Sequence, residues 1–479
     1  MVILPEILGD HMVLQRNCPI HLWGWAAPDE RVTVNFGPAA LTVSADLSGK
    51  WSVDLPPMSA GGPFSLTVSA TNSIQISDVR IGELWVASGQ SNMEMPLAGF
   101  VEGRVKDDER EILEANYPEI RFFKISPAAT SYPLVDLRQR GEWNICSPET
   151  APRFSAVAYT FARELLASQG VAIGVVDATW GGTPAEAWIS LPGLTEDSSL
   201  APAFDEFNSL AARHGEDRPQ WDREDAEDAL AASLGKCVPA RIRSKEFEKA
   251  GPGTLFNGMI APLLPLRLAG VIWYQGETNA TTLRASVYRK LFHALIQDWR
   301  RGWQRRDLPF LYVQLPNWNA QSQLWPVIRE AQRHALCLRN TAMTVTIDVG
   351  DSDNLHPPDK QIVGQRLALA ARAMVYHEQI EYSGPLYSGK SPEPGRLRVW
   401  FEHAEGLRSS TTLVPGFELA AESGIFLPAT DSRIEGCSVI LSNAKLQTPS
   451  HARYGWADDP KLDLYNLAGL PASPFSTKQ

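Results

Sequence analysis

The hydrophobic and polar positions change rhythm twice along the chain. Up to about residue 80 the segments are short and turn-punctuated: "MVLQR", "IHLWGWA", "RVTVNFG", "LTVSAD", "KWSVDLP" and "FSLTVSA". The clearest alternation is Arg31, Val32, Thr33, Val34, Asn35, Phe36, the period of a strand with one face in a core. Turn signals such as "APDE" and "SGK" separate the runs, so residues 1–80 are expected to form a small β-sandwich. From "VRIGELWVASGQ" onward, unbroken apolar runs at 84–87, 120–125, 171–178, 270–274, 310–315 and 343–348 take over. Amphipathic stretches at 157–168, 284–301, 325–338 and 360–377 lie between them. Apolar strands separated by helices predict an α/β unit over 81–378, a mostly parallel sheet covered on both faces. Residues 190–250 ("WDREDAEDALAASLGK" among them) are polar and helix-prone, and break the alternation like an insertion or lid. Beyond 378, "RLRVWFEHA", "GFELAAE", "IFLPATDS" and "CSVILSN" return to strand patterning, so 379–479 is expected to be a second β-rich domain.

In an open parallel sheet, ligands bind beyond the carboxyl ends of the strands. Four predicted strands end in polar loops that differ in chemistry. Leu84–Ala87 runs into Ser88, Gly89, Gln90 and Ser91; 171–178 ends in "DATWGGTPAEAW", 270–274 in "YQGETNA" and 343–348 in "DVGDSDNLHPPDK". One rim would thus carry a serine, a glycine pair, an asparagine and an Asp/His pair. Ser91 alone reads equally as a helix cap. The company of the other loops favours nucleophilic attack on an ester: serine needs a base, the base an orienting carboxylate, and the oxyanion needs amide donors.

His356 is the preferred base among nine histidines, because it follows an apolar strand, is stiffened by Pro357 and Pro358, and has Asp353 three residues earlier. Four aspartates share that loop. Asp348 suits a strand-end turn and Asp359 a helix cap, leaving Asp351 and Asp353; the three-residue offset favours Asp353 as the triad acid. Gly181 and Gly182 read either as a tight turn or as bare backbone for a substrate oxygen, and Asn279 either as a helix cap or as an amide donor.

Composition narrows the classes. A chain of 479 residues is expected to form two or three domains, and a net charge of −11 argues against a nucleic-acid partner. No run approaches the ~20 apolar residues of a membrane span, so no membrane partner is expected. The first residues lack the pattern of a signal peptide, which points to a cytoplasmic protein as the sequence stands, or a periplasmic or secreted one if a leader has been removed. Cys18, Cys146, Cys237, Cys337 and Cys437 are scattered and lack CxxC spacing, so they read as reduced small hydrophobes and not as a disulfide or zinc framework. Fifteen tryptophans suit sugar stacking as well as core filling; Trp180, Trp188 and Trp273 flank the candidate loops.

The four ordered blocks "GQSNMEMPL", "TWGGTPAEAW", "VIWYQGETNA" and "DSDNLHPPDKQIVGQRLALAAR", with "MVLQR" and "GWAAPDERVTV" near the start and "RYGWADDPKLDLYNLAGLPASPF" at the end, resemble sialate O-acetylesterase-like carbohydrate esterases of the SGNH hydrolase superfamily. The resemblance implies a flavodoxin-like catalytic domain, no cofactor, no metal, and removal of acetyl groups from the hydroxyls of a mono-, oligo- or polysaccharide. It implies Ser91 as nucleophile, His356 as base and Asp353 as acid, with Gly182, Asn279 and the Ser91 amide as the oxyanion hole. The order Asp353, Asn354 departs from the Asn-then-Asp order of the family. Gln90, Trp180, Glu186, Gln275 and Glu277, on or beside the same loops, are the residues expected to meet the sugar. Two other classes fit parts of the pattern: a two-carboxylate glycosidase built around Glu277, and a non-catalytic carbohydrate-binding protein built on the sandwiches and tryptophans. The first leaves Ser91, His356 and Asn279 unexplained, and Glu277 reads better as a loop-ordering hydrogen-bond acceptor; the second has no use for a base aimed at a hydroxyl.

Overall fold

The computed structural model describes residues 1–101, 103–233, 249–422 and 424–478. Cys237 and the end of the 190–250 insertion lie outside the described residues.

One strand, Ser73–Gly89, joins the first two expected units. Its first half alternates between buried and exposed residues and pairs antiparallel with Gly61–Ser69. From Ile81 onward every residue is buried, and the strand lies between two parallel neighbours. The change from a half-buried to a fully buried strand is what the rhythm of the sequence registers near residue 80. No linker falls there, because the backbone passes straight from one sheet region into the other. The six strands expected in residues 1–80 all form, from Val13–Gln15 to Gly61–Ser69. Val32, Val34 and Phe36 of Arg31–Phe36 point inward, as their alternation requires. Their core is continuous with that of the α/β unit.

The central sheet runs, edge to edge, Thr341–Thr344, Phe310–Val313, Gly270–Tyr274, Ser73–Gly89, Ile173–Thr179, Tyr117–Lys124 and Trp143–Cys146. All neighbours are parallel except the last pair. The strands of Ile173–Thr179 and Gly270–Tyr274 are buried at every position, which needs cover on both faces. Helices Ala156–Gln169, Thr282–Gly302, Trp325–His334 and Lys360–Met374 surround the sheet. Gly364 fits where helices Ala156–Gln169 and Lys360–Met374 touch, since a Cβ there would lie 2.6 Å from Val157 O.

Ser73–Gly89 is the first strand of the parallel sheet in chain order and lies in its middle. The next parallel strands build to one side, and the later three to the other. Strand order therefore reverses at its carboxyl end, which leaves a crevice between loops departing in opposite directions. Ser91 follows immediately.

Residues 386–476 form two four-stranded antiparallel sheets. Val399, Leu419, Leu441 and Phe475 are among the residues of a second apolar core. The insertion contributes the 33-residue helix Ala201–Ser233, whose polar sequence suits a helix lying outside the core. No helix among the described residues is long and apolar enough to cross a membrane.

Candidate active site

Gly89 ends the central strand with φ +133°. A Cβ there would lie 2.1 Å from Tyr274 O, so only glycine permits this close approach of adjacent strand ends. The chain then turns into the four-residue helix Ser91–Glu94. Ser91 Oγ lies 2.8 Å from His356 Nε2. With the ring proton on Nδ1, the serine hydroxyl donates to Nε2, the arrangement in which the ring can accept that proton during attack. Phe100 packs edge-on against the His356 ring, with centroids 5.3 Å apart. The backbone N–H of His356 donates to Asn354 Oδ1 at 2.8 Å, which shapes the loop around the base.

The four aspartates of this loop separate by partner. Asp348 binds Arg366 through both oxygens at 2.7 Å. Asp359 caps helix Lys360–Met374 and binds Lys106 at 2.9 Å. Asp351 Oδ1 accepts the Asp353 amide at 3.0 Å, a local turn bond. Asp353 is exposed and lies three residues before His356 on the same loop.

Gly181 and Gly182 lie across the rim. The Gly181 amide donates to Glu94 Oε2 at 2.6 Å, and exposed Gly182, with φ +69°, carries the next amide. Burial raises the pKa of Glu94, against the pull of Lys124 and the Gly181 N–H. Asn279 is fully buried. Its Oδ1 accepts from Ala185 N at 2.9 Å and Gln275 Nε2 at 2.6 Å, which fixes the amide orientation. Its Nδ2 donates one hydrogen to Glu186 Oε2 at 2.9 Å, and a candidate donor role falls to the second. Thr281, not Asn279, caps helix Thr282–Gly302.

Several residues expected to meet the sugar also bind neighbouring loops. Glu186 is completely buried and ligates Asn279 and Arg284; burial raises its pKa, and Arg284 opposes the rise. Gln275 is equally buried, binding Asn279, Thr183 and Tyr288. Gln90, 2% exposed, accepts the amides of Gly276 and Thr278 through Oε1. Trp188 and Trp273 pack edge-to-face in the core, leaving Trp180, half-buried beside Gly181, as the indole at the rim. Cys337 and Cys437 are exposed and so are not core hydrophobes.

Glu277 belongs to a buried cluster that its sequence context alone does not reveal. Asn92 Nδ2 donates to Glu277 Oε1 at 2.6 Å and to Leu355 O at 3.1 Å, while Asn92 Oδ1 accepts from Lys360 Nζ at 2.5 Å. One fully buried amide thus ties the serine turn, the asparagine loop and the histidine loop. Burial pulls the Lys360 pKa down to about 7, against the attraction of Glu277, and pushes that of Glu277 up. Glu277 Oε1 is thereby engaged by a neighbouring loop. The sequence carries one hint of the cluster: a lysine opening a helix, at the positive end of its dipole, where a cation is disfavoured unless something else holds it.

The comparisons with known proteins agree with this geometry. Residues 242–373 match the family described as carbohydrate esterase, sialic acid-specific acetylesterase. The sialate O-acetylesterase of Mus musculus is 30% identical, over 98% of this chain and 93% of its own. That of Homo sapiens is 30% identical over 98% and 91%. The crystal structure of a carbohydrate acetylesterase from Xanthomonas citri superposes over the whole of both chains with a TM-score of 0.85 and 36% identity. A serine and a histidine within hydrogen-bond distance at the switch point of a parallel sheet, in a chain related along its full length to these esterases, place the protein among the carboxylic ester hydrolases. It belongs to the sialic acid-specific acetylesterase family of carbohydrate esterases.

Proposed function

We propose that the protein removes O-acetyl groups from a carbohydrate through an acetyl-enzyme on Ser91, within a flavodoxin-like SGNH hydrolase domain. The 2.8 Å contact between Ser91 Oγ and His356 Nε2 carries this reading. Ser91 Oγ attacks the acetyl carbonyl while its proton passes to Nε2. The carbonyl oxygen becomes an oxyanion that meets the amides of Ser91 and Gly182 and the second Nδ2 hydrogen of Asn279. Collapse breaks the bond from the acetyl carbon to the sugar oxygen, and that oxygen leaves with the proton held on His356. Water then attacks acetyl-Ser91, giving its proton to Nε2, and acetate departs as Oγ recovers a proton.

Asp353 is assigned as the carboxylate that orients Nδ1, since Asp348, Asp351 and Asp359 each serve other partners. Family membership and the names of the relatives support an O-acetylated sugar as substrate. Acetate release from a panel of acetylated glycans, with aryl esters of increasing acyl length, tests the proposal. Acetyl esters should exceed butyryl esters in kcat/KM by about tenfold or more, ~1.4 kcal/mol in barrier. A preference for long acyl chains, or no acetate from any glycan, would reject it.

A further inference from the structure

The insertion helix Ala201–Ser233 reaches the candidate oxyanion hole through an unbroken chain of charged contacts. Glu206, near its start, accepts from Thr281 Oγ1 at 2.7 Å and from an Arg284 guanidinium nitrogen at 2.9 Å. Arg284, 4% exposed, donates through Nε to Glu186 Oε1 at 2.5 Å. The other oxygen of Glu186 holds Asn279 Nδ2. Thr281 is also the cap of helix Thr282–Gly302, two residues beyond Asn279, so Glu206 holds the start of that helix at two points, Thr281 and Arg284.

We propose that Glu206, Arg284 and Glu186 are positioning residues that set the Asn279 amide, so that the insertion helix governs oxyanion stabilisation without touching the reacting atoms. The inference rests on the reading of Asn279 as an oxyanion donor. Its physical basis is that a fully buried carboxylate stays ionised only where a cation and hydrogen bonds compensate its lost hydration. Arg284 supplies that compensation, and Glu206 fixes where the guanidinium sits. An ionised Glu186 makes a charge-assisted bond to Asn279, stiffer than a neutral one. Burial raises the Glu186 pKa while Arg284 lowers it, so the state of this carboxylate depends on the arginine staying in place. Loss of Glu206 frees one end of the guanidinium and one end of the Thr281 cap, and the amide loses its fixed direction.

The test is a double-mutant cycle in the full-length protein, with kcat and KM measured on an aryl acetate and on an acetylated oligosaccharide. Asn279→Ala is expected to lower kcat about 10²-fold, as removal of one oxyanion donor does. Glu206→Ala is expected to lower kcat about tenfold while KM stays within about twofold, because the lost interaction matters only in the transition state. The double variant should be no slower than Asn279→Ala alone, since the relay acts through that amide. Glu206→Gln, which keeps the shape and removes the charge, should give a smaller loss, and completes the cycle if Glu206→Ala unfolds. Unchanged kcat in the Glu206 variants, or a double variant slower by the product of the two losses, would overturn the relay. Unchanged kcat in Asn279→Ala would instead overturn the oxyanion reading beneath it.

Discussion

Replacement of Asn92 should damage the protein more than any substitution on the visible rim of the site. Its side chain is fully buried and its amide orientation is unambiguous, with the oxygen toward the Lys360 ammonium and the nitrogen toward the Glu277 carboxylate and the Leu355 carbonyl. Asn92→Ala removes the hydrogen-bond partner of three polar groups, the buried Lys360 ammonium, Glu277 Oε1 and Leu355 O. Each orphaned group costs about 1–3 kcal/mol, so the loss should be about 3–9 kcal/mol before it is reduced to the extent that Lys360 deprotonates and Glu277 takes up a proton. Asn92→Asp probes the same point more finely. It keeps the acceptor for Lys360 but sets a second carboxylate where Nδ2 lay 2.6 Å from Glu277 Oε1. Two carboxyls at that distance retain a shared proton, so the folded pKa of the pair rises above its unfolded value. The stabilisation from that shared proton is fully present only below about pH 4, where the unfolded carboxyls are protonated, and is lost as pH rises toward and through the raised folded pKa. Urea unfolding of the wild type, Asn92→Ala and Asn92→Asp between pH 5 and 8 measures this directly. Unchanged midpoints in Asn92→Ala, or an Asn92→Asp protein whose deficit does not shrink on acidification, would refute the reasoning.

The Lys360 ammonium gives a separate pH signature. Its folded pKa is lowered to about 7 by burial, so between pH 7 and 9 the unfolded chain binds the extra proton, and this group makes stability rise with pH; Lys360→Met should flatten that slope in the same unfolding assay. Asp353→Ala should lower kcat by orders of magnitude with little change in KM, while Asp351→Ala, which loses the turn bond to the Asp353 amide, should act mainly on stability; equal kcat losses in the two would reject the choice of acid. Gly364→Ala should destabilise by about 1–3 kcal/mol in thermal unfolding, because the added methyl must push apart the two helices that meet within 2.6 Å of it.

The legible parts of the sequence were those in which one residue's pattern reports its own environment. Fully buried strands such as Gly270–Tyr274 read as unbroken apolar runs, and half-buried ones such as Arg31–Phe36 as alternation, so the layers were visible in advance. Ser91 and His356 meet, as expected of two residues that both follow apolar strands, because strand ends of a parallel sheet share one rim. Strand limits near loops were less visible. The run at 343–348 is a strand only over Thr341–Thr344, since Val345, Thr346 and Ile347 are buried without continuing the ladder. The contacts of the polar residues near the site were not legible in the sequence. Gln90, Glu186, Gln275 and Glu277 carry the side chains a sugar site would use, but their partners, such as Arg284 at 98 residues' distance from Glu186, lie far away in sequence. Local spacing says that a carboxylate sits on a catalytic loop. Only the fold says whether it faces the ligand or another loop.

The central claim is that Ser91 is the nucleophile, and its most direct measurement is acetate release by Ser91→Ala, beside the wild type, on an acetylated oligosaccharide and an aryl acetate. The account predicts a fall in kcat of about 10³-fold or more on both substrates. Unfolding should shift by no more than ~1 kcal/mol, the scale of one lost hydroxyl at a helix start. A folded Ser91→Ala protein that retains most of the wild-type rate would contradict it.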